Sequence, residues 1–185
     1  MRVIAGSFGG RRLKAPRGRG TRPTSERVRE ALFGMLGDVE GARALDLYAG
    51  TGALGIEALS RGAAAVVFVE RDRAALASLG ENLASLGIGQ DAAEVRRVEA
   101  LAALRSARRA KETYDLLFID PPYGTTRRAG SHRWERELAD LLAVLLAPGA
   151  RIVVESDRRA PLTLPIAVER QRRYGDTSIT IHRHQ

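Results

Sequence analysis

The sequence predicts an α/β fold, with seven strands in a mostly parallel sheet, helices on both faces and an antiparallel hairpin at the carboxyl end. Three observations predict it. From Gly41 onward, short apolar runs alternate with segments of helical periodicity. Several of those runs are apolar without interruption, as strands covered on both faces must be. The last two candidate strands, Ala167–Tyr174 and Thr177–Arg183, flank Gly175-Asp176, which is turn chemistry for a hairpin rather than a crossover.

Taken in order, Val3 to Leu13 reads as a glycine-turned hairpin of two short strands. Ala15 to Arg22, with Pro16, Gly18 and Gly20, reads as a basic connector. Pro23 precedes a helix start with Thr24 or Ser25 as its cap. Val28, Ala31, Leu32, Met35 and Leu36 give that helix its apolar face, leaving Arg27, Arg29 and Glu30 largely on others. The parallel strands are expected at Ala44–Tyr48, Ala65–Glu70, Glu94–Val98, Tyr114–Asp120 and Ala150–Glu155. Helices are expected near 53–61, 72–86, 100–110 and 134–146, the second carrying a Leu76, Leu79, Leu83, Leu86 stripe. Two segments result: residues 1–22, a basic hairpin and connector, and residues 23–185, the α/β domain.

With 185 residues, 44% of them hydrophobic and 28% charged, the chain has the composition of a globular domain that needs no staples. It has no cysteine and three histidines, two of them at positions 182 and 184, so no metal site is expected. The start lacks the apolar core of a signal peptide, and Leu138–Leu146, the most apolar stretch, is broken by Asp140. A cytoplasmic protein with no membrane association is expected. Residues 1–29 hold nine basic side chains and only Glu26 as an acid, which accounts for the whole net charge of +8. Such crowding at one end of an otherwise balanced chain points to phosphates, hence nucleic acid. Arg11, Arg12, Lys14 and Arg22 are the candidate contacts there, and Arg127 and Arg128 those in a lid-like stretch, Gly124 to Arg136.

Asp46-Leu47-Tyr48-Ala49-Gly50-Thr51-Gly52-Ala53-Leu54-Gly55 joins the first parallel strand to a helix, and Glu70 ends the next strand. Glycines at this spacing let a ligand approach the backbone, and a carboxylate at Glu70 suits two ribose hydroxyls. Those features alone ask for an adenosine. Asp46 narrows the choice, because a carboxylate there repels a pyrophosphate and attracts an ammonium. A ligand carrying adenosine, an ammonium and a carboxylate is S-adenosylmethionine. The candidate cofactor set is Asp46, Tyr48, Gly50, Gly52, Glu70, Arg71, Glu99 and Ala100.

Asp120-Pro121-Pro122-Tyr123 closes the fourth parallel strand, at the edge where ligands of doubly wound sheets sit. An exocyclic base amine is a poor nucleophile because its lone pair is delocalised into the ring. A carboxylate from Asp120 and the carbonyl of Pro121 can accept its two N–H bonds and draw the nitrogen toward tetrahedral geometry. Tyr123 can stack on the extruded base. These three residues are the catalytic candidates.

Together these segments resemble the class I, Rossmann-like methyltransferases of exocyclic amines, and within them the RsmD-type 16S rRNA guanine-N2 methyltransferases. The likeness covers nearly the whole chain: Arg22-Pro-Thr-Ser-Glu-Arg27-Val-Arg29-Glu-Ala-Leu-Phe33, Leu45 to Gly62, Phe118 to Tyr123 and Tyr174-Gly-Asp-Thr-Ser-Ile-Thr-Ile181. It implies one guanine of 16S rRNA as substrate, in the 30S subunit or its assembly intermediate, with a monomer as the expected state. Relatives carry an aspartate where this chain has Glu99, so Glu99 either reads the adenine or serves the helix dipole. The rival readings are a DNA adenine or cytosine amino-methyltransferase, a non-catalytic RNA-binding assembly factor, a protein glutamine methyltransferase and a nicotinamide oxidoreductase.

Overall fold

The computed structural model describes residues 1–15, 25–122 and 131–185, with Ser131 and His132 described by backbone alone. Its helices are α1 (Glu26–Leu36), α2 (Ala53–Ser60), α3 (Arg73–Leu86), α4 (Ala100–Arg109) and α5 (Ser131–Leu142). The strands are β1 (Arg43–Leu47), β2 (Ala65–Val69), β3 (Ala93–Arg96), β4 (Tyr114–Ile119), β5 (Leu146–Asp157), β6 (Val168–Tyr174) and β7 (Thr177–Arg183). They form one sheet in the order β3-β2-β1-β4-β5-β7-β6, as expected from the alternation. β3 through β5 run parallel, whereas β7 pairs antiparallel with both β5 and β6. The strand order reverses between β1 and β4, which opens a crevice beyond their carboxyl ends.

Alternation along the strands divides the core in two. Ala44, Val66, Phe68, Leu116, Phe118 and Val153 face α1, α2 and α3. Leu45, Leu47, Val67, Val69, Leu117, Ile119, Ile152 and Val154 face α4 and α5. Two buried faces explain why these strands are continuous apolar runs.

Four details depart from the sequence reading. The amino-terminal hairpin has no regular strands among its described residues: Arg2 and Arg12 make a single antiparallel bridge, supported by Val3 N–H on the Arg11 carbonyl at 2.9 Å. Its Val3 and Leu13 are buried in the same cluster as α1 to α3, so the hairpin shares the main core. β3 ends at Arg96, leaving Val98 exposed. α5 begins at Ser131 and stops at Leu142, because Leu146 is taken into β5 by pairing with Tyr114. A register shift between Tyr114 and Leu116 absorbs the Pro148–Gly149 segment before regular pairing resumes at Arg151.

Candidate active site

The loop after β1 is held by its own residues. Asp46, buried, accepts a hydrogen bond from the Gly55 N–H through Oδ2 at 3.0 Å, tying the strand end to the first turn of α2. Gly52 caps α2 with φ +81°, and a Cβ there would lie 2.4 Å from Leu79 Cδ1. Gly55 has no such backbone demand, but a Cβ would come within 2.3 Å of the Phe68 ring, so its role is close packing of α2 on β2. Gly50 is different. Its φ is +57° and a Cβ would meet only the Tyr48 carbonyl at 3.9 Å, so the space above it is open for a ligand. Tyr48 adopts φ +66°, a left-handed conformation that costs a non-glycine residue about 1–3 kcal/mol.

Glu70 closes the loop from the neighbouring strand. Its Oε2 accepts from Gly50 N–H at 2.8 Å, and its Oε1 accepts from Arg71 and Asp72 N–H at 2.7 and 2.8 Å. A carboxylate has about four lone-pair directions, so one is left for a further donor. Asp72 separately caps α3 through Ala75 N–H. Beyond β3, Glu99 is the N-cap of α4 but makes no side-chain cap bond. It pairs instead with Arg71 at 2.5 Å, and both side chains are exposed. Ala100, buried, is the first residue of α4.

Burial dominates the electrostatics of Asp46. Loss of solvent, with Glu70 adding repulsion and Gly55 N–H offsetting part of it, raises its carboxyl from the ordinary range to about 7. Among the described residues it has no cationic partner. Asp120, half-buried just past β4, is also raised well above the ordinary carboxylate range, by burial first and then by Glu155 and Asp46. Pro121 is buried beside it and Pro122 is exposed. The β1–β4 register sets Asp46 level with Phe118, and alternation puts Asp46, Asp120 and Glu155 on one face of the sheet. Tyr123 lies outside the described residues.

On the other face, Tyr48 receives a hydrogen bond from the Trp134 indole, and burial pushes its phenol up to about 12. Both rings pack against the α4–α5 core, so Trp134 is a core contact that anchors α5 to the loop after β1.

The basic residues at the amino end divide between docking and exposure. Arg11 Nη2 donates to the Ser85 carbonyl at 2.6 Å, and Lys14 Nζ pairs with Glu81 at 2.7 Å, both on α3. Arg12 is exposed. Arg22, Arg127 and Arg128 lie outside the described residues. Arg29 is a correction. Expected on an outer face, it is completely buried, donating to the Arg2 carbonyl at 2.5 Å and the Ala53 carbonyl at 3.4 Å. Glu57, equally buried, stands 3.9 Å from it and accepts from Ile4 N–H at 2.7 Å, Ala5 N–H at 3.1 Å and Arg61 Nε at 2.8 Å. This polar knot joins the amino-terminal hairpin, α1 and the helix that carries the glycine loop. A positional period cannot distinguish a buried arginine from a solvated one; the signal available was Glu57 inside an otherwise apolar α2.

Comparison with known proteins places these features in a family. Residues 1–183 match the model described as Conserved hypothetical protein 95. YlbH of Bacillus subtilis is 38% identical over 192 residues, covering 99% of this chain and 98% of that one. The Ribosomal RNA small subunit methyltransferase D of Haemophilus influenzae is 36% identical over 168 residues, covering 89% and 83%. The solved structure of Escherichia coli yhhF superposes with a TM-score of 0.83 at 36% identity, covering 100% of this chain and 98% of that one.

Proposed function

The chain belongs to the Conserved hypothetical protein 95 family, and from that premise we propose that it methylates the exocyclic N2 amine of a guanine in 16S rRNA, with S-adenosylmethionine as donor. One observation carries the reading. A glycine loop built around a buried carboxylate with no cationic partner among the described residues, and a strand end bearing Asp120 and Pro121, share one face and one edge of the sheet.

The residues present fit the cofactor. Gly50 leaves room for it over a backbone that carries no side chain, Glu70 can take the ribose hydroxyls, and Asp46 offers negative charge to its cationic end. Tyr48, Gly52 and Arg71 shape the cradle, while Glu99 and the first turn of α4 at Ala100 stand where the adenine would be read. When bound, S-adenosylmethionine supplies an electrophilic methyl group on a sulfonium.

The chain's own part is to make the amine nucleophilic and hold it in line. Asp120 and the Pro121 carbonyl accept the two N2 hydrogens, so the nitrogen lone pair is freed from the ring. As the C–N bond forms the nitrogen becomes acidic, and Asp120 or a water takes its proton. The raised proton affinity of Asp120 suits that task. Tyr123 stacks on the base, Arg12 with Arg22, Arg127 and Arg128 positions phosphates, and Arg11 and Lys14 do so from their docked positions on α3. The substrate form is the 30S subunit or an assembly intermediate, and the enzyme works in the cytoplasm as a monomer, with residues 1–22 as the RNA-contacting extension. No metal enters the reaction.

The test is methyl transfer from isotopically labelled cofactor to small subunits, naked 16S RNA and DNA, followed by nucleoside identification. N2-methylguanosine from the RNA samples, absent with Asp120→Ala, is expected. Label confined to DNA, or appearing as methyladenosine or methylcytidine, contradicts the reading. Absence of label everywhere points to a binding factor instead.

A further inference from the structure

Glu155 is a carboxylate that neither the cofactor cradle nor the methyl-transfer geometry uses. β4 and β5 are parallel, with Phe118 level with Val153 and Ile119 level with Val154. The next step of that register sets Asp120 beside Glu155, one inter-strand spacing of about 4.8 Å apart. Val153 packs in the α1–α3 core, so two residues on, Glu155 points to the same face as Asp120 and Asp46. It is 7% exposed, and its charge is felt at Asp120. The sheet order β1-β4-β5 leaves Asp46 on the cofactor side of Asp120 and Glu155 on the opposite side.

A base whose amine is held by Asp120 must lie over that opposite side, since the donor occupies the β1 side. The group adjacent to N2 on guanine's Watson–Crick edge is N1–H, a donor. In adenine N1 is an acceptor, as is N3 in cytosine. We propose that Glu155 is a specificity-determining residue that accepts the guanine N1–H while Asp120 accepts N2–H. The inference rests on the guanine-N2 reading above. A buried carboxylate rewards the donor with a charge-assisted hydrogen bond and repels a lone pair placed opposite it. Selection of guanine then follows from two neighbouring acceptors facing two neighbouring donors.

The decisive probe is 2-aminopurine, which keeps the N2 amine but presents an N1 lone pair instead of N1–H. Ligated 16S RNA carries guanine or 2-aminopurine at the position that labelling identifies, assembled into small subunits, and single-turnover rates are measured with intact enzyme. Wild-type enzyme should prefer guanine by about 100-fold or more, as sites built to bond a particular donor do. Glu155→Gln, whose amide can donate to the N1 lone pair, should shrink that preference at least 10-fold. Glu155→Asp, which keeps the charge, should retain the preference at a lower rate. Equal wild-type rates on the two bases overturn the proposal without any variant. So does a guanine preference unchanged in Glu155→Gln that melts like wild type. If wild-type enzyme leaves guanine N2 unlabelled in the first place, the failure belongs to the proposed function and not to Glu155.

Discussion

Replacing Asp46 with asparagine should make the free protein more stable at neutral and alkaline pH. Its carboxyl titrates at about 7 in the fold, against 3.8 for an unperturbed aspartate, because burial opposes the charged form. An acid whose folded pKa is raised binds its proton more tightly in the native state. The fold therefore loses stability as pH climbs from the ordinary carboxylate range to about 7, and the loss is complete above that. A shift of about three units corresponds to roughly 4 kcal/mol. Asparagine keeps an oxygen for Gly55 N–H and removes the charge, so about 2–4 kcal/mol should be recovered, or about 5–15 °C in melting temperature for a domain of this size. The assay is a set of thermal melts of both proteins at pH 4, 5, 6, 7 and 8. The difference should be absent near pH 4, grow through the acid range and level off above about 7. Calorimetry on the same samples should show weaker S-adenosylmethionine binding by the variant, the exchange of stability for function that buried charges at sites embody. A stability difference independent of pH, or no gain at pH 8, refutes the reasoning.

Glu57→Leu should cost about 3–5 kcal/mol by urea unfolding, because Arg29 is left buried without its counter-charge and the Ile4 and Ala5 amides lose their acceptor; a loss below about 1 kcal/mol contradicts the knot. Gly52→Ala combines an unfavourable left-handed backbone with a clash against Leu79, so a loss of about 2–5 kcal/mol and weaker cofactor binding are expected from melts and titration. Arg12→Ala should lower the slope of log affinity for RNA against log salt by about 0.7–0.9, the contribution of one phosphate contact, and an unchanged slope removes Arg12 from the interface.

Most of the fold was legible because its signals are local. Apolar runs, the Asp46–Gly55 loop, Ser25 as cap and the Gly175–Asp176 turn each announce their element within a few residues. What escaped was tertiary. Arg29 lies beside the apolar stripe of α1, and only the arrival of Glu57 and the Arg2 carbonyl makes its burial tolerable. Leu146 reads as the end of a helix until Tyr114 recruits it into the sheet. Glu155 sits at the end of an apolar strand like many exposed glutamates, and its place beside Asp120 depends on β4–β5 pairing. Glu99 fitted two roles in sequence, and the structure shows a third partner, Arg71, 28 residues earlier. The basic amino end likewise read as one footprint, whereas among the described residues four of its side chains, Arg2, Arg11, Lys14 and Arg29, are engaged with the protein itself.

The most direct measurement is single-turnover methyl transfer by Asp120→Asn on small subunits, paired with its S-adenosylmethionine affinity by calorimetry. With the donor held at the β1 loop and the amine at the β4 end, the rate constant should fall about 100-fold or more while cofactor affinity stays within a few-fold of wild type. An unimpaired rate, or a collapse of cofactor binding equal to the loss of rate, would mean that Asp120 does not face the reacting nitrogen.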